Sequence, residues 1–175
     1  MRRGGWILAL LWLAPSSAFA QTHAYEPSAA RIEAGGIAFV GGDLAGVGGT
    51  VSFHYAFGAQ RLVFVGARLA ILGGGEQALG VGGFGGIADA DFGLRPRLAT
   101  WRSGAFALAI SGGVGGAFIS DGRTTLGLFH LAARLGPSFD LGAFALDALV
   151  GPSMLASGTG AAAALECTLD LGARF

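Results

Sequence analysis

The stretch ALECTLDLGARF, residues 164–175, decides how this chain is read. Leu165, Cys167, Leu169, Leu171, Ala173 and Phe175 alternate with Ala164, Glu166, Thr168, Asp170, Gly172 and Arg174. Side chains two apart share one face of a β-strand, so the segment has an apolar face and a charged face. Wound as a helix, the same residues would scatter Glu166, Asp170 and Arg174 among the leucines.

The alternation recurs upstream. Phe144, Leu146, Ala148 and Val150 are interleaved with Asp147, and Phe129, Leu131, Ala133 and Leu135 with His130 and Arg134. Ala88, Ala90, Phe92 and Leu94 oppose Asp89, Asp91 and Arg95, while Phe106, Leu108, Ile110, Val114 and Phe118 oppose Ala and Gly. Val47, Val51, Phe53, Tyr55 and Phe57 oppose Thr50, Ser52 and His54, and Val63, Val65, Ala67, Leu69 and Ile71 oppose Arg68. In the first strand, near 31–40, Arg31 and Glu33 share a parity with Ile37 and Phe39, which implies a bulge or a strand emerging into a membrane interface. Pro96 falls inside a predicted strand and costs a ladder bond unless a bulge accommodates it. Trp101 breaks its strand's parity.

These segments make eight strands. Tight connections at 58–61, 102–104 and 140–143, the last built on Asp140, Leu141 and Gly142, fall at one end, and those near 41–46, 73–85, 119–123 and 151–160 at the other. Tyr55, Phe57, Trp101, Phe106, Phe139, Phe144 and Phe175 gather at the tight-turn end, as an aromatic girdle would. The fold expected is an all-β, eight-stranded antiparallel up-and-down transmembrane barrel.

Composition supports lipid as the outer solvent. Charged residues make up 13% and mean hydropathy is +0.61, against about a quarter charged in an ordinary soluble domain. A soluble sandwich with the same alternation would need polar loops and protected edges, which Gly- and Ala-rich connections supply poorly. The best helical candidate, 104–119, contains five glycines and is shorter than a bilayer span. No Lys and no basic cluster is present, so nucleic-acid binding has no support. The single Cys167 cannot form an internal disulfide.

The N-terminus has the charged, apolar and small-residue zones of an export signal: Arg2-Arg3, the run Trp6 to Ala14, then Ser16 to Ala20. Residues 1–20 are read as a cleavable signal peptide, with Ala18 and Ala20 at the cleavage site, 21–29 as a short lead and 30–175 as the barrel. Losing Arg2 and Arg3 takes the formal charge from 0 to about −2.

With the signal segment, the hairpin series and the terminal aromatic in view, the chain resembles the small bacterial outer-membrane barrels typified by outer membrane protein A. The resemblance implies residence in the outer membrane of a Gram-negative cell, with membrane lipid as partner. It further implies recognition of Leu171, Ala173 and Phe175 by the barrel-assembly machinery. A periplasmic peptidoglycan-binding domain of that family is not seen in the sequence, so wall anchoring is not implied.

The polar parity places Arg31, Arg68, Arg95, Arg97, Arg134 and Arg174 in the lumen with Glu33, Asp89, Asp91, Asp147, Glu166 and Asp170. An eight-stranded barrel has room only for its own side chains, so these charges are expected to neutralise one another and plug the interior. Two alternatives are a narrow channel for small solutes and a lipid-modifying enzyme using Ser52, His54 or His130. Ser52 and His54 are loosely similar to the Ser and His of outer-membrane lipid A deacylases, though in reversed order and facing the lumen. The glycine-rich segment 73–86 lacks the Lys and helix of a phosphate loop and reads as a flexible outer loop or a strand extension. No cofactor and no metal site is expected, and the expectation is a non-catalytic barrel with a structural or interaction role.

Overall fold

A computed structural model describes residues 29–41, 44–73 and 83–175. The expected signal peptide with Ala18 and Ala20, most of the lead, and most of the glycine-rich segment lie outside those residues. The strands are β1 (Ala30–Gly41), β2 (Leu44–Phe57), β3 (Val63–Gly73), β4 (Phe84–Leu94), β5 (Arg97–Trp101), β6 (Gly104–Ser120), β7 (Thr125–Leu141), β8 (Phe144–Ser157) and β9 (Gly160–Arg174).

Each strand pairs antiparallel with its neighbours, β9 closes on β1, and β4 and β5 both lie along β6. β4 and β5 are therefore one interrupted strand, and the sheet is the expected closed, eight-stranded antiparallel barrel. Closure pairs the body of the barrel on both sides of each strand, while β5, beyond the end of β3, pairs with β6 alone. Stepping through paired residues from Leu131 to Val114, Ala90, Ala67, Phe53, Ile32, Ala173 and Phe144 returns to β7 at Leu141, a stagger of 141 − 131 = 10 residues. With ordinary strand spacings, that stagger over eight strands tilts them by about 40° and gives a backbone radius of about 8 Å. Such a cylinder is narrow enough for inward side chains to meet at its axis.

Three local expectations are corrected. β1 has no bulge: its register with β2 runs unbroken from Ala30↔Tyr55 to Gly41↔Leu44. Arg31, Glu33, Ile37 and Phe39 all point inward because the lumen itself changes from polar to apolar along its length. The irregularity falls instead beyond Pro96, where the register shifts between Arg97 and Ala99 and leaves Leu98 as the extra residue. That bulge reverses the parity, so Trp101 turns outward beside the other girdle aromatics. Asp140 belongs to the ladder of β7, facing inward, and the turn proper is Gly142-Ala143, where Gly142 takes φ 65°.

The outer wall is apolar along its whole height. Val51, Phe53, Tyr55, Leu69, Ile71, Phe92, Leu135, Phe144, Leu169 and Leu171 are all exposed, as are many like them. A continuous apolar surface of this extent has no place in water. The core of the fold is the lumen.

Candidate functional site in the barrel lumen

Every second residue of each strand faces the axis, and at the tight-turn end and mid-height most of these residues are charged. Arg134 on β7 is at the centre: its Nε donates to Glu166 Oε1 at 2.5 Å, Nη1 to Asp91 at 3.1 Å and Nη2 to Asp89 at 3.4 Å. Arg68 on β3 lies against Asp91 (3.3 Å), Asp170 (3.6 Å) and Glu166 (3.7 Å). His130 sits between Asp89 (2.8 Å) and Glu166 (3.4 Å), and His54 between Glu33 and Asp91, both at 3.3 Å.

A second group fills the tight-turn mouth. Arg31 pairs with Asp140 and reaches Glu33 and Asp147, each at 3.5 Å; Arg95 donates to Asp147 at 2.6 Å and packs over the Phe64 ring. Arg174 pairs with Asp140 at 3.4 Å and donates to the Gly142 carbonyl. Thr50 donates to Asp170 at 2.5 Å.

Five arginines (31, 68, 95, 134, 174) and two histidines (54, 130) thus face seven carboxylates (33, 89, 91, 140, 147, 166, 170), all buried. The cluster is electrically neutral when both imidazoles carry a proton. Sequence parity missed Asp140, hidden by its nearness to a turn. Arg97, counted with the lumen from sequence, lies half-buried at the rim, where it donates to the Gln60 carbonyl.

Towards the other end the lining turns apolar. Ile37, Phe39, Ala70, Leu72 and Ile87 form a buried cluster backed by Ala117 and Ala164, leaving a void of about 30 Å³ that Phe39, Leu72, Ile87 and Leu155 line. Phe39 meets His130 edge-on at 6.1 Å, joining the two layers. The hydroxyls of Ser111, Ser153 and Thr168 are buried without a protein partner among the described residues, so the polar layer keeps hydrogen-bonding capacity for water.

Acyl-transfer chemistry needs a nucleophile bonded to a base. Ser52 instead donates to Glu33 at 3.4 Å, and both histidines are locked between carboxylates inside the cylinder. Leu171, Ala173 and Phe175 are exposed on the outer wall of β9, where Phe175 and Ala30 exchange backbone bonds of 2.9 and 3.2 Å. At the opposite rim, Asp121 Oδ1 accepts from the N–H groups of Thr124 (2.7 Å) and Arg123 (2.8 Å), which hold its carboxyl below the usual carboxylate range.

A staggered eight-stranded cylinder with a greasy wall and a charged, filled interior defines the class: the chain has the fold of the small outer-membrane β-barrels. No protein-family model and no curated protein matches the sequence. Among solved structures, Neisserial surface protein A is similar over 85% of this chain and 98% of its own, with TM-score 0.64 and 12% identity. Ail, the attachment invasion locus protein of Yersinia pestis, is similar over 85% of this chain and 99% of its own, with TM-score 0.53 and 19% identity, and was also solved with the heparin analogue sucrose octasulfate.

Proposed function

We propose that this chain is a non-conducting outer-membrane barrel with a structural or interaction role, its lumen plugged by Arg–carboxylate pairs. The observation that carries the reading is the two-layer lumen, in which an interlocked charge cluster is followed by an apolar seal. A conducting path would have to break buried ion pairs and then wet a layer of Ile37, Phe39, Leu72 and Ile87. Each step is costly in a low-dielectric interior. The exposed apolar wall is the lipid surface, residues 1–20 are the export signal, and β9 with its terminal Phe175 is what the assembly machinery reads.

The two similar proteins are named as a surface protein and an attachment protein, which fits an interaction role. Here the two outer connections that lie wholly within the described residues, 121–124 and 158–159, are brief. Single-channel recording of the refolded chain in planar bilayers tests the reading. No discrete steps are expected, and reproducible unitary currents would overturn it.

A further inference from the structure

We propose that the outer wall of β3, β4 and β6 seats one straight acyl chain of a membrane lipid in a furrow near the loop end. This rests on the transmembrane reading above and gives part of that wall a particular occupant. Most of the wall carries large exposed side chains, but here a void of about 570 Å³ is sunk between them, and every residue lining it is apolar. The pairing register places its parts. Gly86 lies between Ile71 of β3 and Phe118 of β6; two residues further along β4, Ala88 and Gly116 lie side by side between Leu69 of β3 and Phe129 of β7.

The two glycines of the floor have different reasons. A Cβ at Gly86 would fall 2.6 Å from the Phe118 ring, which lies over that glycine and meets Phe84 edge-on at 5.9 Å. Packing of the wall itself therefore requires Gly86. At Gly116 a Cβ would meet nothing closer than the Leu128 carbonyl oxygen at 4.0 Å, so the fold has room for a side chain there and the sequence supplies none. Glycine inside a strand costs stability, and it is found where something else comes close to the backbone.

The occupant follows from what the furrow adjoins. It is continuous with the apolar wall that hydrocarbon covers, and its lining offers no charge or side-chain hydrogen bond to select a headgroup or a peptide. From Phe84 to Ala88 it runs about 13 Å along β4, close to the roughly 15 Å that one leaflet contributes to a hydrocarbon core of about 30 Å. A stable contact between two copies buries about 800 Å² a side, and a furrow two strands wide falls far short of that. A straight chain touches the floor and both walls, whereas a chain kinked or bulky at its middle bridges the walls and leaves the floor without contacts.

The chain contains three tryptophans, so Trp6→Phe, Trp12→Phe and Trp101→Phe make room for a sole indole reporter. It is placed at the furrow edge as Phe129→Trp, or on β9, away from the furrow, as Leu169→Trp. Each full chain is folded into vesicles of mid-chain-brominated phosphatidylcholine, and unbrominated dimyristoyl- or dioleoylphosphatidylcholine is added to relieve the quenching. At Phe129→Trp the straight-chain lipid should compete about fourfold better than the kinked one, the worth of about one more buried methylene. At Leu169→Trp the two should compete equally. Gly116→Leu fills the furrow and should bring the first reporter to the same equality; Ala88→Leu does so from the neighbouring strand if that variant folds poorly.

Equal competition at both reporters, or a preference that survives the filled furrow, overturns the proposal. So does a Phe129→Trp reporter that brominated lipid fails to reach while Leu169→Trp is quenched, since a second copy would then cover the furrow. A folded chain quenched at neither position does not face lipid, and the transmembrane reading falls with this one. Quenching at both positions without the preference refutes this one alone.

Discussion

Arg134→Met removes the centre of the lumenal cluster while keeping a side chain of similar length. Three carboxylates lose a guanidinium contact, Glu166 at 2.5 Å, Asp91 at 3.1 Å and Asp89 at 3.4 Å. Removing one partner of a buried ion pair costs about 3–5 kcal/mol because the other charge stays behind, uncompensated. Here each carboxylate keeps a second partner: Glu166 and Asp89 retain His130, and Asp91 retains Arg68 and His54. The expected loss is therefore near the lower bound, about 3 kcal/mol. In a urea titration of vesicle-folded protein, followed by gel mobility, that is a midpoint shift on the order of 1–3 M at an unchanged slope. Combining Arg134→Met with Glu166→Gln should recover part of the loss, since the leftover charge goes too. A change below about 1 kcal/mol, the range of hydrated surface pairs, would refute the argument, because it would mean the cluster is bathed in water.

On the outer wall, Leu69 at mid-strand of β3 is 61% exposed, and Leu69→Arg should cost about 2–4 kcal/mol in the same titration if that face meets lipid. A soluble barrel would show almost no change. Gly151→Ala places a Cβ 1.8 Å from the Ala133 carbonyl oxygen, a backbone atom that can yield only if β7 and β8 separate, so the yield of folded barrel on gels should fall sharply. The Asp121 carboxyl, held low by the N–H groups of Thr124 and Arg123, supports its loop above the ordinary carboxylate pKa and loses that support as pH falls through its own lower value. The amide resonances of Arg123 and Thr124 should keep their hydrogen-bonded positions at about pH 4 and move only at lower pH.

The alternation of β9 was legible because its two faces meet different surroundings, lipid and charge, and a period of two separates them cleanly. Ile37 and Phe39 misled for the opposite reason. Their face meets an apolar stretch of lumen, and polarity alone cannot tell the inside of that layer from the outside. Trp101 looked misplaced because a single extra residue, Leu98, reverses every parity after it. Asp140 was lost to the turn beside it, since an Asp two residues before a turn Gly is equally a turn residue and a ladder residue, and only the pairing with Arg31 and Arg174 decides between them. Which carboxylate meets which arginine was never in the sequence: that depends on the ten-residue stagger.

That stagger has a consequence for assembly. Arg31 on β1 finds Asp140 on β7 and Asp147 on β8; Arg134 on β7 reaches Asp89 and Asp91 on β4 and Glu166 on β9; Thr50 on β2 bonds Asp170 on β9. Among the described ion pairs, Arg31–Glu33 lies within one strand and Glu33–His54 and Arg68–Asp91 within one hairpin, but these same residues also lean on charges from later strands. A hairpin entering the bilayer by itself would carry naked ions whose counter-ions sit on strands not yet delivered. The insertion route is thereby constrained: the first and last strands must be brought together before, or as, the polar faces leave water, and a chain stalled part-way has more to lose in the membrane than outside it.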